Sequence, residues 1–304
     1  MLGAANKQKK DWPATLALLL VRTLAKLPFK WGIFTGTQLG HLLRILAVKR
    51  RRVTQVNIDL CFPELTAIER QGLVKNVFIA NGIGLVETAW AHYGDKSMFN
   101  NKVEILGQHL LDNALERGRG VILLGAHFST LDLGGLLFSY TNIGLNTLYR
   151  QHNNPTLDRA IIKGRSRFCE PVERKNMRLV IRKLKANQCI WFAPDQDLNA
   201  SGCVFVNFFG HSASTVTATS NLVRFNKSPI IMLAHYRKPD NSGYILAFSE
   251  VEPCDTNDKL AFAQVVNNSI ETAIRKQPDQ YMWMHKRFKT QPEGKHLLYK
   301  KAKC

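Results

Sequence analysis

The residues best suited to chemistry lie in one short run, Gly125-Ala-His127-Phe-Ser129-Thr-Leu-Asp132. It follows Val121-Ile-Leu-Leu124, an apolar stretch bounded by Gly120 and Gly125, which predicts a buried strand. An imidazole there stands at the carboxyl end of a strand, where open α/β sheets bind ligands. Histidine exchanges a proton near neutral pH, and a carboxylate on one ring nitrogen leaves the other free as a base. Asp132, in the first turn of the following helix, is placed to fold back onto His127. A second reading of the same residues stays open. Ser129 as N-cap and Asp132 as the third helical residue would form a capping box that only stabilises the helix start. There is no G-x-S-x-G elbow and no cysteine placed as a nucleophile, so a covalent acyl-enzyme is not indicated.

Charged groups cluster downstream. Tyr149-Arg150 ends another predicted strand, and Asn153-Asn154-Pro155 reads as a helix cap with proline at the first helical position. Arg159, Arg165 and Arg167 follow, then Arg174, Arg178 and Arg182, of which the last two share a helix face. Guanidinium forks suit phosphates and carboxylates, and a solvated basic face is the alternative for the later arginines. Asp195-Gln196-Asp197 follows the predicted strand Cys189–Ala193. With no His or Cys near them in sequence, these carboxylates read as partners for Arg150 or Arg159, or as groups orienting a substrate, and no metal site is expected. The six cysteines, at 61, 169, 189, 203, 254 and 304, form no C-x-x-C pair, so neither a zinc site nor a disulfide framework is predicted. Reducing surroundings follow.

The elements around these residues predict an α/β fold. Strand-like runs at 102–106, 121–125, 189–193, 203–208, 229–236 and 244–251 alternate with helix-like runs at 129–140, 155–168 and 177–187. Such alternation makes a mixed, largely parallel central sheet flanked by helices. Thr66-x-x-Glu69 is a capping box opening a long helix to about Tyr93. The first 52 residues differ from the rest. Lys7, Lys9 and Lys10 precede apolar runs at 13–21 and 27–48, and Lys49-Arg-Arg-Arg52 closes them. The segment is interrupted by Arg22, Lys26, Lys30 and Arg44, and it reads as membrane-associating helices with the basic block on an anionic cytoplasmic surface. Helices packed on a soluble core are the alternative. Residues 53–292 form the α/β domain and 293–304 a basic tail. The composition, 45% hydrophobic and 21% charged in 304 residues, excludes a disordered chain, and a mean hydropathy of -0.16 excludes a polytopic membrane protein. A net charge of +19 attracts anions. No nucleic-acid partner is expected, because helix-turn-helix, zinc-finger and RNP signatures are absent.

His127-x-x-x-x-Asp132 resembles the signature of glycerolipid-type acyltransferases. More of the chain resembles one branch, the late lipid A acyltransferases of the lauroyl/myristoyl transferase family. The supporting segments are Asn57-x-x-x-Cys61-Phe-Pro-Glu64, Tyr149–Pro155, Asp195-Gln-Asp197, Phe205–Gly210 with Ala213 and Thr215, and Gln280–Lys289. Many members carry Glu where this chain has Asp132. The resemblance implies a glycerolipid-acyltransferase-like fold and a fatty acyl donor in thioester linkage to acyl carrier protein, with no other cofactor. It implies a hydroxyl of a lipid A precursor as acceptor, contact with anionic membrane lipid, and work at the cytoplasmic face of the inner membrane. His127 would be the general base, oriented by Asp132, with the oxyanion held by helix-start N–H groups or an arginine. Substrate contacts would fall to Tyr149, Arg150, Asn153, Arg159, Arg165, Asp195, Gln196 and Asp197. Arg174–Arg182 and Lys286-Arg-Phe-Lys289 would attract the acidic carrier. Phe208, Phe209 and Trp283 would be core or acyl-chain lining. Two other readings remain: a phospholipid acyltransferase acting on a glycerol backbone, and a non-catalytic binder of anionic membrane lipid.

Overall fold

Four apolar residues with no polar neighbour, Val121–Leu124, form β2, and all four are buried. A strand apolar on both faces belongs in the middle of a covered parallel sheet. A computed structural model describes residues 11–198, 202–293 and 298–299. Lys7, Lys9, Lys10 and most of the basic tail lie outside the described residues. β2 occupies the centre of a seven-stranded sheet. The other six strands are β1 (Val103–Leu106), β3 (Leu145–Tyr149), β4 (Glu170–Glu173), β5 (Cys189–Phe192), β8 (Ile230–Arg237) and β9 (Tyr244–Glu250). The order is β1-β9-β8-β2-β5-β3-β4, and only the β8–β9 pair is antiparallel. β6 (Cys203–Phe208) and β7 (His211–Val216) form a separate hairpin. The fold is the mixed, mostly parallel α/β architecture that the alternation of runs predicts.

The runs of hydrophobicity leave β4, β7, α5 (Gln108–Glu116), α9 (Ala218–Asn226) and α10 (Lys259–Lys276) unmarked. β4 contains Pro171, which cannot donate to a ladder and is tolerated here because β4 is the outermost strand. The predicted capping box is present. Thr66 N–H donates to Glu69 Oε2 at 2.7 Å and Glu69 N–H to Thr66 Oγ1 at 3.3 Å, opening α4 (Ala67–Tyr93). Deep in α4, Glu87 accepts from Arg237 Nε at 2.7 Å and from the Tyr244 hydroxyl at 2.9 Å. This buried network ties the helix to β8 and β9.

The N-terminal segment folds as α1 (Trp12–Leu24), α2 (Phe29–Leu46) and α3 (Val48–Cys61). Gly32, Gly36 and Gly40 place one face of α2 against α4 so closely that a Cβ on Gly82 would stand 2.3 Å from the Gly36 carbonyl oxygen. The obstacle is backbone on both sides and cannot turn away. Gly82→Val is therefore expected to cost at least about 1–3 kcal/mol, read as a drop of several degrees in the thermal midpoint. An unchanged midpoint would show that the crossing is loose. The opposite face of α2 leaves Trp31, Ile45 and Leu46 between 64% and 68% exposed, and α1 exposes Trp12, Leu16, Leu19 and Leu20. No helix among the described residues is long and apolar enough to cross a membrane.

Candidate active site

β2 and β5 are parallel neighbours in register, with Leu124 beside Phe192. The chain leaves both strands at the same level, and the third residue beyond each is His127 and Asp195. The two side chains meet there. Asp195 Oδ1 lies 2.6 Å from His127 Nδ1, and Oδ2 accepts the His127 backbone N–H at 3.0 Å. The Tyr281 hydroxyl also faces this carboxylate and favours its ionised form. Asp195 is 1% exposed. Burial opposes its ionisation, but the charge and hydrogen bonds of His127 outweigh that and hold the carboxyl down at about 2. Burial likewise opposes an imidazolium at His127, and the Asp195 charge and hydrogen bond overcome it, raising the ring above its ordinary value. With Nδ1 committed to Asp195, Nε2 is the nitrogen left for chemistry. The ring, 21% exposed, lines a cavity of about 160 Å³.

The expectation that Asp132 orients His127 is corrected. Thr130, not Ser129, is the N-cap of α6 (Leu131–Phe138), and its side chain caps nothing, so the capping-box reading fails as well. Asp132 is then the second helical residue, and it faces α7 (Pro155–Arg165) instead of β2. Its Oδ1 accepts from Arg165 Nε at 2.7 Å and stands 3.6 Å from His92 Nε2. Burial works against this carboxylate, and His92 and Arg165 together hold its pKa far below the usual range. Arg165 also lines the cavity, and its positive charge reaches His127.

Tyr149 and Arg150 stand at the same cavity, as the strand end at β3 predicts. Much of its lining is apolar, with Leu145, Leu148, Phe168, Trp191 and Leu233. Gly135 of α6 lets Phe168 lie against the helix, since a Cβ there would be 2.6 Å from the Phe168 ring. His235 closes one wall. Burial holds this ring neutral, with its pKa down at about 4, and Thr130 Oγ1 lies 2.7 Å from its Nδ1. Other expected contacts are not brought in. Asn153 and Arg159 are exposed and outside the cavity, and Asn154 is the residue whose side chain caps α7. Gln196 is half-buried away from the cavity. The pairing of Asp195 and Asp197 with Arg150 or Arg159 is corrected too. Asp195 belongs to His127, and Asp197 accepts from the Thr290 backbone at 2.5 Å and its hydroxyl at 2.9 Å.

The residues that sequence reasoning missed come from the end of the chain. Tyr281 bridges Phe128 in an antiparallel pair, Met282 N–H donates to the His127 carbonyl at 2.9 Å, and Ser129 N–H donates to the Gln280 carbonyl at 2.6 Å. His285 Nε2 accepts the Asp197 N–H at 3.1 Å, and burial keeps that ring neutral, at about 4. Asn57 of α3 clamps the stretch from outside by donating to the carbonyls of Trp283 and His285, both at 2.7 Å. The signal was available: Asn57 and Gln280–Lys289 both lie in segments that carry the resemblance. Trp283, Phe208 and Phe209 pack together in the core. Arg287, expected at a docking surface, is instead buried, donating to the Ser214 carbonyl at 2.6 Å and Thr215 Oγ1 at 2.9 Å. Arg174, Arg178 and Arg182 are exposed.

The sequence profile described as bacterial lipid A biosynthesis acyltransferase matches residues 6–290. Among characterised proteins the chain is 33% identical over 293 residues to the lipid A biosynthesis palmitoleoyltransferase of Escherichia coli K12, covering 95% of this chain and 94% of that one. It is 33% identical over 288 residues to the lipid A biosynthesis lauroyltransferase of the same strain, covering 93% of each. To that strain's lipid A biosynthesis myristoyltransferase it is 23% identical over 300 residues, 97% of this chain and 92% of the relative. The three names agree on acyl transfer in lipid A synthesis and differ in the acyl group.

Proposed function

Because the chain belongs to the bacterial lipid A biosynthesis acyltransferase family, we propose that it moves a fatty acyl chain from acyl carrier protein to a hydroxyl of a lipid A precursor, with His127 as general base. The observation that carries this reading is the His127–Asp195 pair, with His127 lining a cavity whose wall is in large part apolar. An alcohol is a poor nucleophile at neutral pH. In this reading the acceptor oxygen attacks the thioester carbonyl while His127 Nε2 takes its proton. Asp195 fixes the ring and stabilises the imidazolium that forms. Collapse of the tetrahedral intermediate breaks the carbon–sulfur bond, and the carrier thiolate leaves with the proton that His127 returns. Arg165 is the cation available to the developing oxyanion, and Asp132 positions Arg165. The apolar wall receives the acyl chain, and Tyr149 and Arg150 meet the acceptor at the rim. No cofactor enters these steps.

The direct test is purified protein with acyl-loaded carrier and a lipid A precursor, read by mass spectrometry. The precursor should gain the mass of one acyl group, and a glycerophospholipid offered in its place should gain none. The exposed arginines of α8 (Met177–Lys185) suit an acidic carrier, so salt should raise the donor KM far more than it lowers kcat. Transfer that requires a different thioester would remove the carrier from the scheme.

We further propose that the exposed apolar faces of α1 and α2 attach the protein to the cytoplasmic face of the inner membrane. Buried apolar area is not screened by ions, so high salt alone should leave the protein in the membrane fraction. Complete release by salt would show a purely electrostatic attachment.

A further inference from the structure

A second cleft, of about 380 Å³, lies between the end of α2, the start of α3 and the first half of α4. None of its lining residues borders the cavity at His127. Arg44, Arg51 and Arg52 line it together with Gln55 and Gln71, and no lining residue is acidic. The neighbouring carboxylates are engaged elsewhere. Asp59 accepts from Gln55 Nε2 at 2.9 Å and forms an ion pair with Arg70, whose Nε lies 2.9 Å away, and Glu69 is held in the α4 capping box. Arg44 Nε is buried with no hydrogen-bond partner, an expensive state for a guanidinium nitrogen unless a ligand supplies the acceptor. Arg51 Nη1 donates to the Arg44 carbonyl at 3.1 Å, which fixes its guanidinium at the end of α2. α3 also begins here without a side-chain cap, which adds the positive end of its dipole. Around the cleft, Leu42, Ile45, Leu46 and Val48 are exposed.

Cations recessed beside an exposed apolar rim match a phosphodiester at the level where acyl chains begin. We propose that this cleft binds the phosphate of an anionic membrane phospholipid and so fixes the depth and tilt of the protein on the bilayer. The proposal rests on the membrane attachment argued above. The free phosphate ion offers the same chemistry, but it has no use for the apolar rim.

The test is co-sedimentation of the full chain with phosphatidylcholine vesicles and with the same vesicles carrying phosphatidylglycerol. Arg44→Gln removes a cation whose Nε has no hydrogen-bond partner, and Arg44→Gln/Arg51→Gln removes two charges. Arg178→Gln/Arg182→Gln removes the same charge from exposed α8 as a control, and thermal midpoints check that each variant folds. Wild type should prefer the anionic vesicles. The preference should fall roughly fivefold for Arg44→Gln and on the order of 25-fold for the double variant, with less than about a twofold loss in the α8 control. Equal losses in the two double variants would overturn the site while leaving the attachment intact. Release by inorganic phosphate, but not by chloride at equal ionic strength, would overturn the lipid as its ligand. Wild type that binds neither vesicle overturns the attachment and the proposal with it.

Discussion

His127→Ala is expected to leave a folded protein with acyl transfer reduced about 10²- to 10⁴-fold, the span a positioned general base contributes. The ring is partly exposed at a cavity mouth, so truncating it removes little packing. Near-normal turnover in a variant with unchanged thermal midpoint would end the proposed mechanism. The wild-type pH profile gives an independent check. Only the neutral ring accepts a proton, and Asp195 raises the pKa of His127. The imidazolium therefore persists to higher pH than for an ordinary histidine. kcat/KM should climb with pH through a value above the usual imidazole range and level off beyond it. A profile already flat at the ordinary histidine value would mean that the ion pair does not act on the reacting form.

The second large effect separates the two acids. Asp195→Asn should lower kcat by roughly 10³–10⁴, because an amide cannot both accept the ring N–H and stabilise the imidazolium. It should also move the rising limb of the profile to lower pH, since the charge that raises the His127 pKa is gone. Asp132→Asn should cost less and leave that limb in place, because its partners are Arg165 and His92. Measuring kcat/KM against pH for both variants decides the matter. A shifted limb in Asp132→Asn with none in Asp195→Asn would restore Asp132 as the partner of the base. Tyr281→Phe is a milder probe of the same carboxylate. It removes a hydroxyl that favours the anion, makes Asp195 more basic, and should move the limb slightly upward.

What could be read from the sequence divides along local and non-local lines. The Thr66–Glu69 cap, the buried tetrapeptide of β2 and the proline-started α7 depend on residues within a few positions of one another, and each stands where its pattern places it. The position of His127 at a strand end follows from the same local logic. Its carboxylate does not. Asp132 is near in sequence but is turned aside by the start of α6 at Leu131, whereas Asp195 is brought in by the pairing of β2 with β5. No spacing along the chain encodes which strands become neighbours. Tyr281 and Asn57 lie in segments that the resemblance marks, but what they touch is set by the same non-local pairing. The N-terminal segment was a case of two patterns superposed, since α2 carries a glycine face for α4 and an exposed apolar face opposite it.

The return of residues 280–285 to His127 also sets an order of events during synthesis. β1 finds its sheet neighbour only in β9, where Val103 pairs with Tyr244, and the loop that holds His127 is braced by Gln280 and Met282. Contacts so distant along the chain form late, after loop closure across most of the domain. A growing polypeptide thus presents α1 and α2 to its surroundings long before the base has its tyrosine-backed carboxylate. Under the attachment proposed above, docking precedes competence, and a chain cut short before Gln280 lacks the groups that brace the His127 loop.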